Sequence, residues 1–228
     1  MTLERYLRNQ DAISDAEQEI LAQKCVLVVG CGGLGGYVIE CLARIGVGHM
    51  RVVDNDVFDE SNLNRQLLSS SMNLGRPKTL TAKQRAMAIN PLVEIEAYQT
   101  NFTAENAPEL VAGCDIAIDA LDNIPSRLLL QQAAKTAGIP LVHGAVAGWM
   151  GRVSVIQPGD DLFSQLYPAQ TEIQGEEMER GALSFTVSLT ASFQAAETVK
   201  LLLEKPSLTG ELLEIDMLHS IVKKIKIT

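Results

Sequence analysis

Cys25-Val26-Leu27-Val28-Val29 is a continuous apolar, largely β-branched run that stops at Gly30-Cys31-Gly32-Gly33-Leu34-Gly35. Such a run suits a strand buried on both faces, which is the environment a parallel sheet covered by helices provides. The G-x-G-x-x-G spacing follows the strand directly and opens the helical apolar pattern Tyr37–Ala43. Bare glycine backbone there lets N–H groups approach an anion at a helix N-terminus. Met50-Arg51-Val52-Val53-Asp54 reads as the next strand and completes a βαβ unit. Asp54 then lies about 20 residues beyond the glycines, where a carboxylate accepts ribose hydroxyls.

The alternation continues down the chain. A capping box at Ser14 and Glu17 predicts a lead-in helix to about Lys24. Later come a helix from Pro77 to Ile89, a strand at Val93–Tyr98, a helix after Thr103 and a strand at Asp115–Asp119. Pro125 and Gly138 bracket a further helix. Leu141–Ala147 and Gly151–Gln157 are then too close together for a crossover helix and predict an antiparallel pair. After a core-facing helix over Leu183–Leu203, Glu211–Met217 and Ser220–Ile227 predict an edge pair guarded by lysines. The expected fold class is α/β: a Rossmann-like, mostly parallel sheet flanked by helices and extended by antiparallel strands on the C-terminal side. The expected layout is a single domain, with a helical lead-in over 1–24, a nucleotide-binding half over 25–140 and an antiparallel extension over 141–228. Within the extension, residues 159–181 carry Asp160, Asp161, Glu172, Glu176, Glu177 and Glu179 and predict a lid or partner-binding crossover.

Composition narrows the function. A net charge of −9 leaves no cationic excess to displace counterions from nucleic acid or anionic lipid. Neither partner is expected. The N-terminus lacks the apolar run of a secretion signal, and Leu183–Leu203 is too polar to span a bilayer, so a cytoplasmic protein is expected. Cys25, Cys31, Cys41 and Cys114 form no C-x-x-C pair, which predicts reduced thiols rather than disulfides or zinc.

The segment after Asp54 is a dense polar run that closes on Arg65, and Gly75-Arg76-Pro77-Lys78 adds two more cations. Cations held near a glycine loop suit a triphosphate, which makes Arg65 and Lys78 candidate phosphate clamps and leaves Arg76 as a surface residue. Asp122 falls just past the Asp115–Asp119 strand, at the ligand-binding end of the sheet, and is the preferred holder of Mg²⁺. Asp119 is its competitor. His143 reads as a hydrogen-bonded core residue, and Trp149 is left open between packing and partner contact.

In series, Arg5-Tyr6-Leu7-Arg8-Asn9, the Gly30–Gly35 loop, Asp54-x-Asp56, Ser61-Asn62-Leu63-Asn64-Arg65-Gln66, Gly75-Arg76-Pro77-Lys78 and Asp122-Asn123 resemble the ThiF/MoeB/HesA family, relatives of ubiquitin-activating enzymes. The resemblance extends through Gly144-Ala145-Val146 and Gly151. It implies adenylylation by MgATP of the C-terminal glycine carboxylate of a small ubiquitin-like sulfur-carrier protein ending in Gly-Gly, with release of pyrophosphate, in cofactor biosynthesis such as that of thiamine or molybdopterin. It also implies that Gly30, Gly32, Gly33 and Gly35 lie against the nucleotide and that Asp54 takes the ribose, with Asp56 beside it. Asn62, Arg65, Gln66 and Lys78 would surround the triphosphate, with Asp122 on Mg²⁺. Arg8 matches an arginine inserted into the other subunit's site in a homodimer.

Two departures from the family pattern are visible. Leu162-Phe163-Ser164-Gln165-Leu166-Tyr167-Pro168 lacks the cysteine pair that many relatives carry there, and no second pair occurs before Thr228, so a short member without zinc is expected. No cysteine lies between Gly159 and Leu183, so covalent thiol catalysis is not expected and the activity would end at the acyl-adenylate; Cys31, inside the glycine loop, would approach phosphate, and Cys25, Cys41 and Cys114 read as core or packing thiols. The alternatives are an NAD-binding oxidoreductase, resting on the glycine loop and Asp54 alone, and a nucleotide-binding scaffold without turnover.

Overall fold

The computed structural model describes residues 3–9, 11–160, 162–163 and 180–227. Eight strands form one sheet in the order β3-β2-β1-β4-β5-β6-β7-β8. They are β1 (Cys25–Val29), β2 (His49–Val53), β3 (Glu94–Tyr98), β4 (Ile116–Asp119), β5 (Leu141–Ala147), β6 (Met150–Ile156), β7 (Glu211–Asp216) and β8 (Ile221–Lys226). The α-helices among the described residues are α1 (Asp15–Leu21), α2 (Gly33–Ile45), α3 (Lys78–Ile89), α4 (Ala107–Val111), α5 (Ile124–Ala137) and α6 (Ser184–Leu202).

β1 to β5 run parallel, and the pairing then changes: β5 is parallel to β4 and antiparallel to β6. The period of two in a strand divides the apolar run of β1 between both sheet faces. Val26 and Val28 join the core beneath α2 and α6, whereas Leu27 and Val29 join the core beneath α4 and α5. This is why the run is apolar without alternation. The expected caps are present. Ser14 Oγ accepts from the Glu17 amide, while Glu17 accepts from the Ser14 amide at 2.8 Å. Gly46 and Gly138 close α2 and α5 in the left-handed conformation.

α6 crosses β4, β5 and β6 and buries polar side chains against them. A Cβ at Gly144 would overlap the Gln194 amide, and one at Gly151 would overlap the Thr190 hydroxyl. Glycines in β5 and β6 therefore admit a polar helix face, and Gln194 uses the space to donate to the Asp119 carbonyl at 2.8 Å. At the far edge, every residue of β8 is exposed, so its Ile/Lys alternation does not separate an inner from an outer face. Lys224 pairs with Glu211 across the β7–β8 ribbon at 3.2 Å. In the expected crossover, Asp160 is described, whereas Asp161, Glu172, Glu176, Glu177 and Glu179 lie outside the described residues.

Candidate active site

The carboxyl ends of β1, β2 and β4 open onto a cavity of about 650 Å³, within the usual range for a small-molecule site. Gly30 turns the chain out of β1 with φ +99°, where a Cβ would strike the Ala120 carbonyl. Gly35 is packed for a different reason: a Cβ there would overlap the Gly30 carbonyl oxygen. It holds α2 close to the loop and does not itself line the cavity. Gly32 and Gly33 do line it, at the N-terminus of α2, where the backbone N–H groups and the helix dipole favour anions. Cys31, expected to approach phosphate, instead turns its side chain into the core and is fully buried. Burial pushes its thiol well up.

Asp54 accepts the Cys31 N–H at 2.7 Å and the Asp56 N–H at 2.8 Å, so one carboxylate bridges the glycine loop and the segment after β2. Burial raises its carboxyl pKa, against the opposing effect of these two amides. Asp56 in turn meets Lys78 Nζ at 3.0 Å. Backbone contacts draw these two sequence runs together: the Lys78 amide donates to the Asp56 carbonyl at 3.0 Å, beside a bridge from Val57 to Pro77. Lys78 begins α3 and is 6% exposed, an ammonium held in place at the cavity wall.

Arg65 and Gln66 complete that side. Arg65 donates to the Ser61 carbonyl and the Asn64 side chain, both at 2.9 Å. The Gln66 amide lies over Gly32, and its Oε1 is buried without a hydrogen-bond partner among the described residues. Orphaned buried polar atoms are uncommon, so this one beside the bare loop suits a polar ligand that completes it. Asn62 is buried but does not line the cavity, because its Oδ1 accepts the Asp59 amide at 3.2 Å and so shapes the turn that presents Arg65.

Asp119 and Asp122 have opposite surroundings. Asp119 is fully buried: it accepts the Leu121 N–H at 3.0 Å and contacts His143 Nδ1 at 2.7 Å, with Arg127 Nε at 3.7 Å. Asp122 is exposed at the cavity wall, just before Asn123 caps α5. Of these two, Asp122 is the carboxylate that lines the cavity. Arg127 donates to the Leu121 carbonyl at 2.6 Å, so Asp119 and Arg127 hold both backbone polar groups of Leu121, the residue before Asp122. His143 is wholly buried against Phe163, and that burial lowers its pKa. This matches the reading of His143 as a core residue.

Sequence reasoning did not find Arg127, Gln194 or the wall formed by Thr100 to Thr103. The wall follows from β3 lying beside β2; a strand end at Tyr98 was the available signal. Arg8 does not reach this site. It lies on a short 3₁₀ helix, Glu4–Asn9, whose Tyr6 packs beneath Gly46 at the C-terminal end of α2. The 13 residues of α2 separate that end from the glycine loop by about 20 Å. Trp149 is 43% exposed and stacks on Phe185 with ring centroids 5.0 Å apart.

An open α/β sheet that gathers a bare glycine loop and two cations at its carboxyl edge belongs to the class of nucleotide-binding proteins. Within that class, the chain belongs to the ThiF family, whose model matches residues 4–228. It is 36% identical over 219 residues to the SAMP-activating enzyme E1 of Haloferax volcanii, covering 94% of this chain and 81% of that one. It is 37% identical over 238 residues to the sulfur carrier protein adenylyltransferase of Thermus thermophilus, covering 99% and 87%. The crystal structure of E. coli MccB with ATP superposes with a TM-score of 0.83 at 19% identity, covering 100% of this chain and 72% of that one, a likeness of fold. Among the described residues, no helix is long and apolar enough to cross a membrane.

Proposed function

We propose that this chain is an ATP-dependent adenylyltransferase that activates the C-terminal glycine carboxylate of a small ubiquitin-like sulfur carrier. The carrying observation is the meeting of the glycine loop, Asp54, Arg65, Gln66, Lys78 and Asp122 around one cavity in a chain of this family. The attacking carboxylate is already ionised at neutral pH, so no general base is required. A carboxylate oxygen bonds to the α-phosphorus, the bridging oxygen to the β-phosphorus departs with its electron pair, and pyrophosphate leaves. Lys78, Arg65 and the loop amides hold the phosphoryl oxygens as charge redistributes. Gly32 and Gly33 bring the N-terminus of α2 to the cavity wall, where free helix N–H groups favour phosphoryl oxygens.

The wall presents three carboxylates, Asp54, Asp56 and Asp122, against the cations Arg65 and Lys78. Further positive charge is needed to hold a triphosphate. Asp122, a hard oxygen donor facing the cavity, fits Mg²⁺, which supplies charge neutralisation between the phosphate oxygens when bound. Arg8 supplies the rest from a second copy of the chain, since it cannot reach its own cavity. Asn62 and Gly35 act indirectly, by holding Arg65 and α2 in position. The oxidoreductase alternative is not favoured, because it assigns no work to Arg65, Lys78 or Arg8. The scaffold alternative differs from the leading reading only in turnover.

The test is ATP–pyrophosphate exchange with and without a small protein ending in Gly-Gly. Exchange that depends on the carrier is expected. Tight ATP binding with no exchange for any such carrier would reduce the chain to a scaffold.

A further inference from the structure

At the amino end of the sheet, two thiols that the nucleotide chemistry does not use face each other. Cys25 opens β1 and Cys114 immediately precedes Asp115 at the entrance to β4, and their sulfur atoms lie 3.6 Å apart. The backbone around them is locked. The Asp115 amide donates to the Cys25 carbonyl at 2.8 Å, and the Cys25 amide donates to the Asp115 carboxylate at 2.8 Å. A disulfide needs the sulfurs at about 2.0 Å, so the two must approach by about 1.6 Å. We propose that Cys25 and Cys114 form a reversible oxidation site that takes a hydroperoxide and becomes an intrachain disulfide.

The surroundings divide the work between the two thiols. Either sulfur can donate in their contact; that contact, and secondarily the Arg51 guanidinium, whose Nη1 lies 3.8 Å from Cys114 Sγ, lower the Cys25 pKa. The contact with Cys25, and after it burial, push the Cys114 thiol up. Arg51 Nη1 is itself fixed by the Leu110 carbonyl at 2.8 Å and the Ala112 carbonyl at 3.0 Å. The Glu96 and Asp115 carboxylates oppose that cation; reactive cysteines are characteristically partly exposed and beside a positive group. Cys25 is partly exposed, and Cys114 lines a separate cavity of about 490 Å³ between α4 and α5.

In the first step the Cys25 thiolate attacks a peroxide oxygen. The O–O bond breaks, the second oxygen leaves and takes up a proton, and Cys25 becomes a sulfenic acid. In the second step Cys114 gives up its proton and attacks the Cys25 sulfur; the S–S bond forms and the S–O bond breaks, releasing water. Two thiols are oxidised and one peroxide is reduced. A dithiol reverses the modification by exchange. Cys31 is sealed in the core and offers no competing thiolate.

The experiment exposes the reduced, full-length protein to hydrogen peroxide, alkylates remaining thiols in denaturant and maps the peptides. We expect Cys25 and Cys114 in one cross-linked peptide that has lost two hydrogen atoms, Cys41 still alkylated, and full reversal by dithiothreitol. In Cys114→Ser the sulfenic acid should persist at Cys25 and be captured by dimedone. Alkylation of both thiols after peroxide treatment would overturn the proposal, as would cross-links found only between molecules or equally with Cys41. Because the pair lies about 16 Å from the glycine loop along β1, pyrophosphate exchange should be the same before and after oxidation. This readout is independent of whether the adenylyltransferase reading holds.

Discussion

The two ends of the parallel sheet treat charge differently. At the amino end, charge is paired locally: Lys24 meets Asp115 at 2.9 Å, with both side chains about a third exposed. At the carboxyl end, the groups line a cavity, and the orphaned Gln66 oxygen and the outward Asp122 have capacity to spare. The lesson is that charge at one end closes the fold locally, whereas charge at the other is held for something that arrives. Lys78 marks the boundary between the two, being both paired with Asp56 and set into the cavity wall.

If that contrast is right, substitutions at the two ends should separate activity from stability. The largest effect is expected for Lys78→Ala and Arg65→Ala, which should lower pyrophosphate exchange by about 100–1,000-fold, since losing one positioned donor costs about 2.7–4 kcal/mol. Unchanged exchange would place the charge at the carboxyl end on the same footing as that at the amino end. Arg8→Ala should fall comparably, and mixing it with Lys78→Ala should restore about a quarter of wild-type activity through mixed dimers with one intact site. No recovery on mixing would remove Arg8 from the partner's site.

A smaller effect is expected between the two ends, where His143 is buried with a lowered pKa. The unfolded chain takes up the proton first, so this residue contributes stability above pH of about 6.5 that is lost as pH falls toward the folded-state value. Urea midpoints should therefore decline from pH 7 to pH 5, and His143→Gln should flatten that part of the curve. The smallest effect is expected at the amino end. Lys24→Ala breaks a half-exposed pair and should cost less than about 1 kcal/mol in urea unfolding, with exchange unchanged.

Legibility in the sequence followed the range of the contacts involved. The glycine loop, Asp54, Arg65 and Lys78 were readable because each lies in a short run whose backbone geometry is local. The α/β alternation and the late antiparallel strands were readable for the same reason, from apolar period and turn residues. The hold on Leu121 was not, because it joins Asp119, Arg127 and Gln194 across strands and helices up to 75 residues apart. Asn62 and Gly35 show a second limit. A motif position near a site can serve the backbone that carries the ligand groups, and its residue type alone does not distinguish the two roles. Cys31 shows a third, since alternation at a loop decides which way a side chain turns, and here it turns inward.

The contact between Gly35 and the Gly30 carbonyl has a consequence for how this protein tolerates change. At Gly75, Gly113 and Gly159 a Cβ would meet open space, and what those positions resist is the positive φ they hold rather than crowding. At Gly35 the same methyl would have to displace the turn that leaves β1, and α2 would carry the loop amides away with it. Sensitivity at this position is thus set by proximity alone, so the smallest possible mutation there would act like a large one.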